Sequence, residues 1–220
     1  MEIIAYIRSP FGQKFGVPRQ SGLVETAADV VFTPPYRKEE ALRGLEGFSH
    51  IWLLWEFHQM AEKEWTPTVR PPRLGGNARM GVFATRSPHR PNPIGLSCVG
   101  LTGMEMTQSG PVLHVVGADL VDGTPIYDIK PYLPYCDSHP EATGGWTDRV
   151  EGGTLSVVFP EKLLKAVPES HRSSLVGILE QDPRPRYQDD PERIYGMTYA
   201  GVNVKFSVRE GVLTVVEVEN

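Results

Sequence analysis

The chain has 220 residues and a net charge of −5, and 40% of its residues are hydrophobic. This size suits one large domain or one domain with a small appendage, and the apolar content excludes an intrinsically disordered protein. The N-terminus lacks a basic segment followed by a long apolar one, and no apolar run reaches the roughly 18 residues of a membrane span, so a cytoplasmic protein is expected.

The first two thirds of the chain carry the patterns of short strands separated by turns. Residues 2–8 form a predicted strand that ends in a Ser-Pro-Phe-Gly turn, and the apolar run at 23–32 stops at a proline pair. Charged and apolar residues at helical spacing predict a short helix over residues 36–45. Further strands are predicted at residues 49–58, 81–85, 95–101, 112–120 and 126–129. Strands at such regular spacing favour a closed or nearly closed β-barrel.

Glycine pairs at residues 144–145 and 152–153 mark a change of pattern. Beyond them the sequence predicts a strand at 154–159, helices at 161–166 and 169–181, and a hairpin of strands 202–208 and 212–218. The predicted fold class is therefore mainly β, with a β-barrel over residues 1–145 and a small α+β domain over residues 150–220.

Charge is distributed unevenly in the barrel sequence. Between Thr66 and Met104 there is no Asp or Glu, while the rest of the chain has 17 basic and 27 acidic residues, a net charge of −10. The basic residues of the acid-free stretch are all arginines: Arg70, Arg73, Arg79, Arg86 and Arg90. A solvated surface is one interpretation. We favour an anion-binding face, because the planar guanidinium suits phosphates and carboxylates.

Two stiff loops lie in this stretch. Residues 70–79 combine two prolines with a glycine pair, so they are predicted to be irregular, and residues 85–95 contain three prolines. A stiff loop loses little entropy on binding, and the second loop would present Arg86, Ser87 and Asn92. An ordinary proline-rich connection is the alternative.

Other candidate sites give weaker signals. The turn from Asp119 to Pro125 brings carboxylates, a hydroxyl and backbone amides to a strand end, although Asp-Gly is also an ordinary turn. His58-Gln59 and Pro18-Arg19-Gln20 are ambiguous alone. The sequence has no GxGxxG after the first strand, no GxxxxGK[ST], no HExxH and no GxSxG, which disfavours a Rossmann-type nucleotide site and a serine hydrolase. Cys98 and Cys136 lie in no CxxC pattern, which favours free, buried thiols over a disulfide or a metal site.

The sequence resembles the TsaA-like tRNA methyltransferases, which methylate N6 of threonylcarbamoyl-adenosine beside the anticodon. The matching motifs are FGVPRQ at 15–20, GLEGFSHIW at 44–52, residues 70–87, RPNPIG at 90–95 and residues 119–135. They span residues 1 to about 140 of the chain. The C-terminal part resembles the bacterial branch of the family, which carries a small added domain.

The resemblance implies an S-adenosylmethionine-dependent enzyme built on a β-barrel, with tRNA as substrate and a homodimer whose cofactor lies near the subunit interface. It places cofactor contacts at the following positions: Pro18, Arg19, Gln20, His58, Gln59, Arg86, Leu96, Asp122, Gly123, Thr124 and Pro125. No metal is implied.

Roles follow from the chemistry of this reaction. Arg86 and Asn92 are expected to hold or polarise the modified base, and His58 and Asp119 are the candidates for a general base. The remaining arginines, Arg70, Arg73, Arg79 and Arg90, are expected to contact the phosphates of the anticodon stem-loop. A non-catalytic barrel that binds an adenosyl ligand or an RNA loop is the alternative function, and an arginine-lined dimer interface is an alternative use of the basic face.

Overall fold

The computed structural model describes residues 1–60, 65–75, 78–150, 153–184 and 190–219. In chain order, its strands are β1 (Ala5–Arg8), β2 (Ala27–Phe32), β3 (His50–Glu56), β4 (Thr68–Val69), β5 (Met80–Gly81), β6 (Ile94–Thr107), β7 (Gly110–Val116), β8 (Pro125–Pro131), β9 (Ser156–Val158), β10 (Tyr195–Tyr199), β11 (Val202–Arg209) and β12 (Val212–Glu219). The α-helices are α1 (Pro134–Asp137), α2 (Glu161–Leu164) and α3 (Arg172–Glu180).

The N-terminal strands close into a barrel in the order β1-β2-β7-β6-β3-β8. Every neighbouring pair in it is antiparallel. Where β3 pairs with β6, Trp55 lies opposite Gly95 and Glu56 lies opposite Ile94. The end of β3 and the start of β6 therefore meet at one end of the barrel, which confirms the predicted mainly β, barrel-based fold.

Alternation along β3 explains how this strand is placed. Ile51, Leu53 and Trp55 point into the barrel and are at most 7% exposed, whereas Trp52 and Glu56 face outwards and are only partly buried. A period of two is what a strand with one core-facing side requires. The strand predicted at residues 49–58 is confirmed and runs from His50 to Glu56.

The C-terminal part forms a second sheet in the order β10-β11-β12-β9, in which β9 and β12 are parallel. Helix α3 packs Leu175, Ile178 and Leu179 into a core with the buried side chains of this sheet, among them Phe206. The mixture of helices and strands predicted for residues 150–220 is therefore found in the structure.

The segment between β1 and β2 connects the two cores. Phe11 and Val24 belong to the C-terminal core, and the Phe11 ring lies 5.4 Å from the ring of Tyr199. The backbone N–H of Ala200 donates to the carbonyl of Pro10 at 2.9 Å. The loop that carries residues 14–20 is therefore held between the barrel and the C-terminal sheet.

Two predicted elements are wrong. In place of the helix at residues 36–45, short 3-10 turns cover Pro34–Tyr36, Glu39–Leu42 and Leu45–Gly47. The backbone leaves the helical region between these turns, at Lys38 and Arg43 with ψ of 114° and 124° and at Gly44 with φ 88°. In place of a strand at residues 81–85, Val82–Ala84 forms a 3-10 turn that buries Val82.

Other boundaries differ by a few residues. The strand predicted at residues 112–120 ends at Val116, because Gly117 has φ 82° and turns the chain. The helix predicted at 169–181 is a 3-10 turn at Glu169–His171 followed by α3. The stretch at residues 70–79 is irregular apart from a 3-10 turn at Pro72–Leu74. Gly76 and Asn77 of that stretch, and Gly152 of the predicted boundary, lie outside the described residues.

Neither cysteine is fully buried, which corrects the expectation of buried thiols: Cys98 is partly exposed, and Cys136 is exposed because it lies on the short surface helix α1. Both thiols are free. Within the described ranges, no helix is long and apolar enough to cross a membrane. Over the same ranges, no three His, Cys, Asp or Glu side chains come together as a metal site would require.

Candidate active site

A cleft of about 530 Å³ opens at the end of the barrel where β3 ends and β6 begins. Its walls come from the loop between β1 and β2, the end of β3, the proline-rich loop before β6 and the turn that follows β7. Four stretches that are far apart in the sequence therefore meet there.

Most of the residues that the resemblance assigned to the cofactor line this cleft. They are Pro18, Arg19, Gln20, His58, Gln59, Arg86, Leu96 and Thr124. Asp119, a candidate base, and Arg90, assigned to RNA, line it as well. Signals that were weak and separate in the sequence are thus brought together by the fold.

Several predicted site residues do not line the cleft. The Asp122 carboxylate accepts a hydrogen bond from the backbone N–H of Ser9 at 2.9 Å. Asp122 lines a different cavity, which His171 also lines. Gly123 and Pro125 are likewise outside the lining. Asn92 is exposed and also lies outside the lining. Asp122, Gly123 and Pro125 therefore lie outside the cleft that Leu96 lines, and their contact with the cofactor stays a prediction.

A chain of hydrogen bonds from the barrel core reaches the cleft at Asp119. The indole N–H of Trp55 donates to Ser97 Oγ at 2.9 Å, and the Ser97 hydroxyl donates to Asp119 Oδ1 at 2.5 Å. Ser97 is fully buried, so its hydroxyl cannot exchange these partners for bulk water. The Asp119 carboxylate is consequently fixed in orientation at the wall of the cleft.

Burial raises the pKa of the Asp119 carboxyl above its usual range. The hydrogen bond from Ser97 and the positive charge of Arg86 both favour the ionised form and oppose this shift without cancelling it. A carboxylate whose pKa is raised is a stronger proton acceptor than an ordinary aspartate, and such groups cluster at active sites.

Four cationic side chains line the cleft, Lys14, Arg19, Arg86 and Arg90, and two of the arginines are held by contacts with other segments. Arg86 is exposed and donates a hydrogen bond to the Gln20 side-chain carbonyl, which links the proline-rich loop to the loop between β1 and β2. Arg19 donates to the backbone carbonyl of Asp182 at 2.8 Å, in the C-terminal part. Both guanidinium groups are thus positioned by contacts that cross between segments.

Much of the cleft lining is apolar. Leu96 is 55% exposed on the outer face of β6, and Val17, Met60 and Ile94 contribute further apolar surface. The floor requires Gly95, because a Cβ there would lie 2.2 Å from the Trp55 ring. This packing lets the Trp55 indole reach Ser97.

Glu56 adds a second carboxylate to the lining, and Tyr127 donates a hydrogen bond to it. Burial, followed by the neighbouring Glu56 carboxylate, raises the pKa of Tyr127 to about 12. The Tyr127 hydroxyl therefore stays protonated and keeps its hydrogen bond at neutral pH.

The other predicted RNA contacts lie on the excursion between β3 and β6. Strands β4 and β5 pair there in antiparallel fashion, with Val69 opposite Met80. Arg70 comes directly after Val69 and Arg79 directly before Met80, so the two arginines lie across from each other. Both are exposed, whereas Arg73 is half-buried. None of these three lines the cleft, so they form a basic surface separate from it.

Sequence reasoning missed Ser97, Trp55, Glu56 and Lys14 as members of the site. Ser97 and Trp55 lie within apolar strands and carry no motif, so only the pairing of β3 with β6 reveals their contact. A polar residue at an inward-facing position of β6 was the one available signal for Ser97.

Two family models match almost the whole chain. The tRNA-methyltransferase O N-terminal domain matches residues 6–138, and the TrmO C-terminal domain matches residues 153–220.

Individual relatives agree with these matches. A protein of Escherichia coli (strain K12) named "tRNA (adenine(37)-N6)-methyltransferase" is 47% identical over 215 residues, covering 94% of this chain and 91% of the relative. A protein of Pseudomonas aeruginosa named "Putative S-adenosylmethionine-dependent methyltransferase RcsF" is 45% identical over 203 residues, covering 88% and 86%. The crystal structure of TrmO from Pseudomonas aeruginosa superposes with a TM-score of 0.78 at 35% identity, covering 99% of this chain and 97% of that one.

Proposed function

Because this chain belongs to the tRNA-methyltransferase O family, we propose that it transfers a methyl group from S-adenosylmethionine to N6 of the adenosine at position 37 of tRNA. We further propose that the substrate adenosine carries a threonylcarbamoyl group on N6. The observation that carries the proposal is the cleft itself, where the partly buried Asp119 carboxylate lies among three arginines and apolar side chains.

The residues of the cleft fit S-adenosylmethionine. A volume of about 530 Å³ lies within the roughly 300–1,000 Å³ of small-molecule sites. Leu96 and Val17 offer apolar surface for the adenine, and Arg19 and Gln20 offer donors for the carboxylate of the amino-acid tail. The negative charge of Glu56 suits a cofactor that carries a sulfonium cation.

The proton of the acceptor nitrogen must leave as the new N–C bond forms and the S–C bond breaks. When bound, S-adenosylmethionine supplies the electrophilic methyl group. Asp119 accepts the N6 proton, because its carboxylate is oriented by Ser97 and its pKa is raised by burial. His58 also lines the cleft, but it is exposed, and its backbone N–H bonds to the Glu56 carbonyl within its own turn. We therefore assign the base to Asp119.

Arg86 has the complementary task. As N6 loses its proton, negative charge spreads into the carbonyl of the threonylcarbamoyl group. Arg86 stabilises that charge, since it lines the cleft near Asp119 and is anchored by Gln20. Asn92 is not assigned a role at the reacting atoms, because it lies outside the lining.

The basic surface outside the cleft binds the phosphates of the anticodon stem-loop. Arg70 and Arg79 are exposed opposite each other, in a stretch of sequence without acidic residues. We assign residues 1–145 to catalysis and residues 150–220 to holding the loop between β1 and β2, through contacts such as that of Arg19 with Asp182. The homodimer and the cytoplasmic location stay predictions.

Methylation of defined tRNA substrates tests the proposed function. The purified protein is incubated with labelled S-adenosylmethionine and with tRNA that carries or lacks the threonylcarbamoyl group. We expect methyl incorporation into the modified tRNA alone, because the carbonyl beside N6 makes its proton easier to remove. Equal incorporation into both would refute the threonylcarbamoyl requirement, and cofactor binding without incorporation would support a non-catalytic binding barrel.

The contact between Ser97 and Asp119 predicts a shift in pH dependence. The hydroxyl favours the ionised carboxylate, so Ser97→Ala raises the pKa of Asp119 further. A base acts only when it is deprotonated, so activity falls as the pH drops through its pKa. In Ser97→Ala, the fall of kcat on the acidic side of the pH profile (the acidic limb) therefore moves to higher pH.

The measurement is kcat against pH with saturating substrates. Ser109→Ala is the control, because this serine lies exposed in the turn between β6 and β7 and should leave the limb unchanged. A uniform loss of activity in Ser97→Ala without a displaced limb would mean that Ser97 only stabilises the fold.

A further inference from the structure

Two large aromatic side chains are exposed beside the basic surface. Phe83 is 73% exposed and Trp65 is 49% exposed, and their rings are stacked, with centroids 6.4 Å apart and an angle of 25° between the planes. Leaving two such rings in water is costly unless a partner covers them. They are therefore a candidate binding surface that the cleft does not include.

The turn that presents Phe83 is firmly anchored. Val82 is buried, and its backbone N–H donates to the Pro67 carbonyl at 3.0 Å. The Thr85 hydroxyl donates to the Val82 carbonyl at 2.8 Å, and the indole N–H of Trp146 donates to the Ala84 carbonyl at 2.8 Å. The Phe83 ring is thus held outward by a rigid 3-10 turn and does not need to be ordered on binding.

Arg90 connects these rings to the cleft. Its guanidinium carbon lies 5.9 Å from the centroid of the Phe83 ring, and its Nη1 donates to the Thr85 carbonyl at 3.1 Å. The same side chain lines the cleft. The aromatic pair therefore lies at the rim of the proposed methyl-transfer site.

We propose that Trp65 and Phe83 form a stacking site for an unpaired base of the RNA substrate, a nucleotide adjacent to the methylated adenosine. The inference rests on the proposed function and adds a second contact point for the same RNA. Proteins recognise single-stranded loops by stacking splayed bases on aromatic rings and on arginine planes.

Charge favours RNA over a second copy of the chain as the occupant. The rings lie in or next to the stretch from Thr66 to Met104, which has arginines and no acidic residue. Two copies meeting through this same surface would bring arginines against arginines, whereas the phosphates of an RNA loop neutralise them. The exposed Phe83 ring, with the Arg90 guanidinium over it, therefore suits an unpaired base and the phosphates next to it.

The test compares Phe83→Ala with the ring-preserving Phe83→Tyr, using an anticodon stem-loop with 2-aminopurine next to the adenosine at position 37. In the wild type and in Phe83→Tyr, stacking should quench the fluorescence of the probe. In Phe83→Ala the quenching should be lost, and the Kd for the RNA should rise about 5- to 150-fold, the loss expected for one stacked base. The Kd for S-adenosylmethionine should not change.

Salt dependence separates stacking from charge. Phe83→Ala should leave the slope of log Kd against log salt unchanged, whereas Arg79→Ala should reduce its magnitude by about 0.7 to 0.9. Unchanged RNA affinity and quenching in Phe83→Ala would overturn the proposal.

A lower sedimentation mass of Phe83→Ala would also overturn it, because the rings would then form a subunit contact. A wild type that quenches the probe without methylating tRNA would refute the proposed function and leave the stacking site standing.

Discussion

Replacing Asp119 by Asn should lower kcat for methylation of tRNA about 10²- to 10⁴-fold, the range over which a general base contributes. The substitution keeps the size of the side chain and an oxygen that can accept the Ser97 hydroxyl, so the hydrogen-bond chain from Trp55 is preserved. What is lost is the proton acceptor. The acidic limb of the pH profile should disappear with it, because that limb reports the protonation of Asp119.

Calorimetry of S-adenosylmethionine binding without tRNA separates this role from an electrostatic one. If Asp119 is the base, the Kd for the cofactor in Asp119→Asn stays close to that of the wild type. If the carboxylate mainly balances the sulfonium charge, the Kd rises and kcat changes little. Asp128→Asn serves as the control, since this carboxylate lies on β8 in an exposed ion pair with Lys130.

The strands of the barrel could be predicted because their signal is local. Alternation along β3 identifies which side chains enter the core, and the buried Ile51 and Leu53 confirm it. Local patterns failed where tertiary packing decided the backbone. The sequence around Val82 predicts a strand, yet Val82 begins a 3-10 turn. The turn buries the Val82 side chain and exposes the next one, Phe83, to solvent.

The site shows the same limit at the level of single side chains. Asp119 and Asp122 are three residues apart in one turn, but one carboxylate lines the cleft while the other bonds to Ser9 near a different cavity. The contact of Trp55 with Ser97 depends on the register between β3 and β6. Register is a property of the assembled sheet, and a one-residue slip would point each side chain the opposite way. The family motifs predict the region of the candidate site, and the strand pairing determines which side chains reach the cleft.

Replacing Arg86 by Ala should lower kcat on threonylcarbamoylated tRNA about 10²- to 10³-fold, the usual loss when one stabilising donor is removed from a transition state. Arg86→Lys should recover part of the activity, because it restores the charge without the planar pair of donors. Removing the positive charge also raises the pKa of Asp119, so the acidic limb of Arg86→Ala should move to higher pH.

A phosphate-binding role for Arg86 predicts a different pattern, which Arg79→Ala illustrates. Arg79 is exposed on the β4–β5 excursion and lies outside the cleft, so its loss should raise KM for tRNA, weaken the salt dependence and leave kcat at saturation unchanged. If Arg86→Ala behaves like Arg79→Ala, with a normal kcat and an unshifted pH profile, its guanidinium serves RNA binding and not the reacting base. A reduced kcat with a shifted limb requires that Arg86 acts beside Asp119, as their shared position at the cleft indicates.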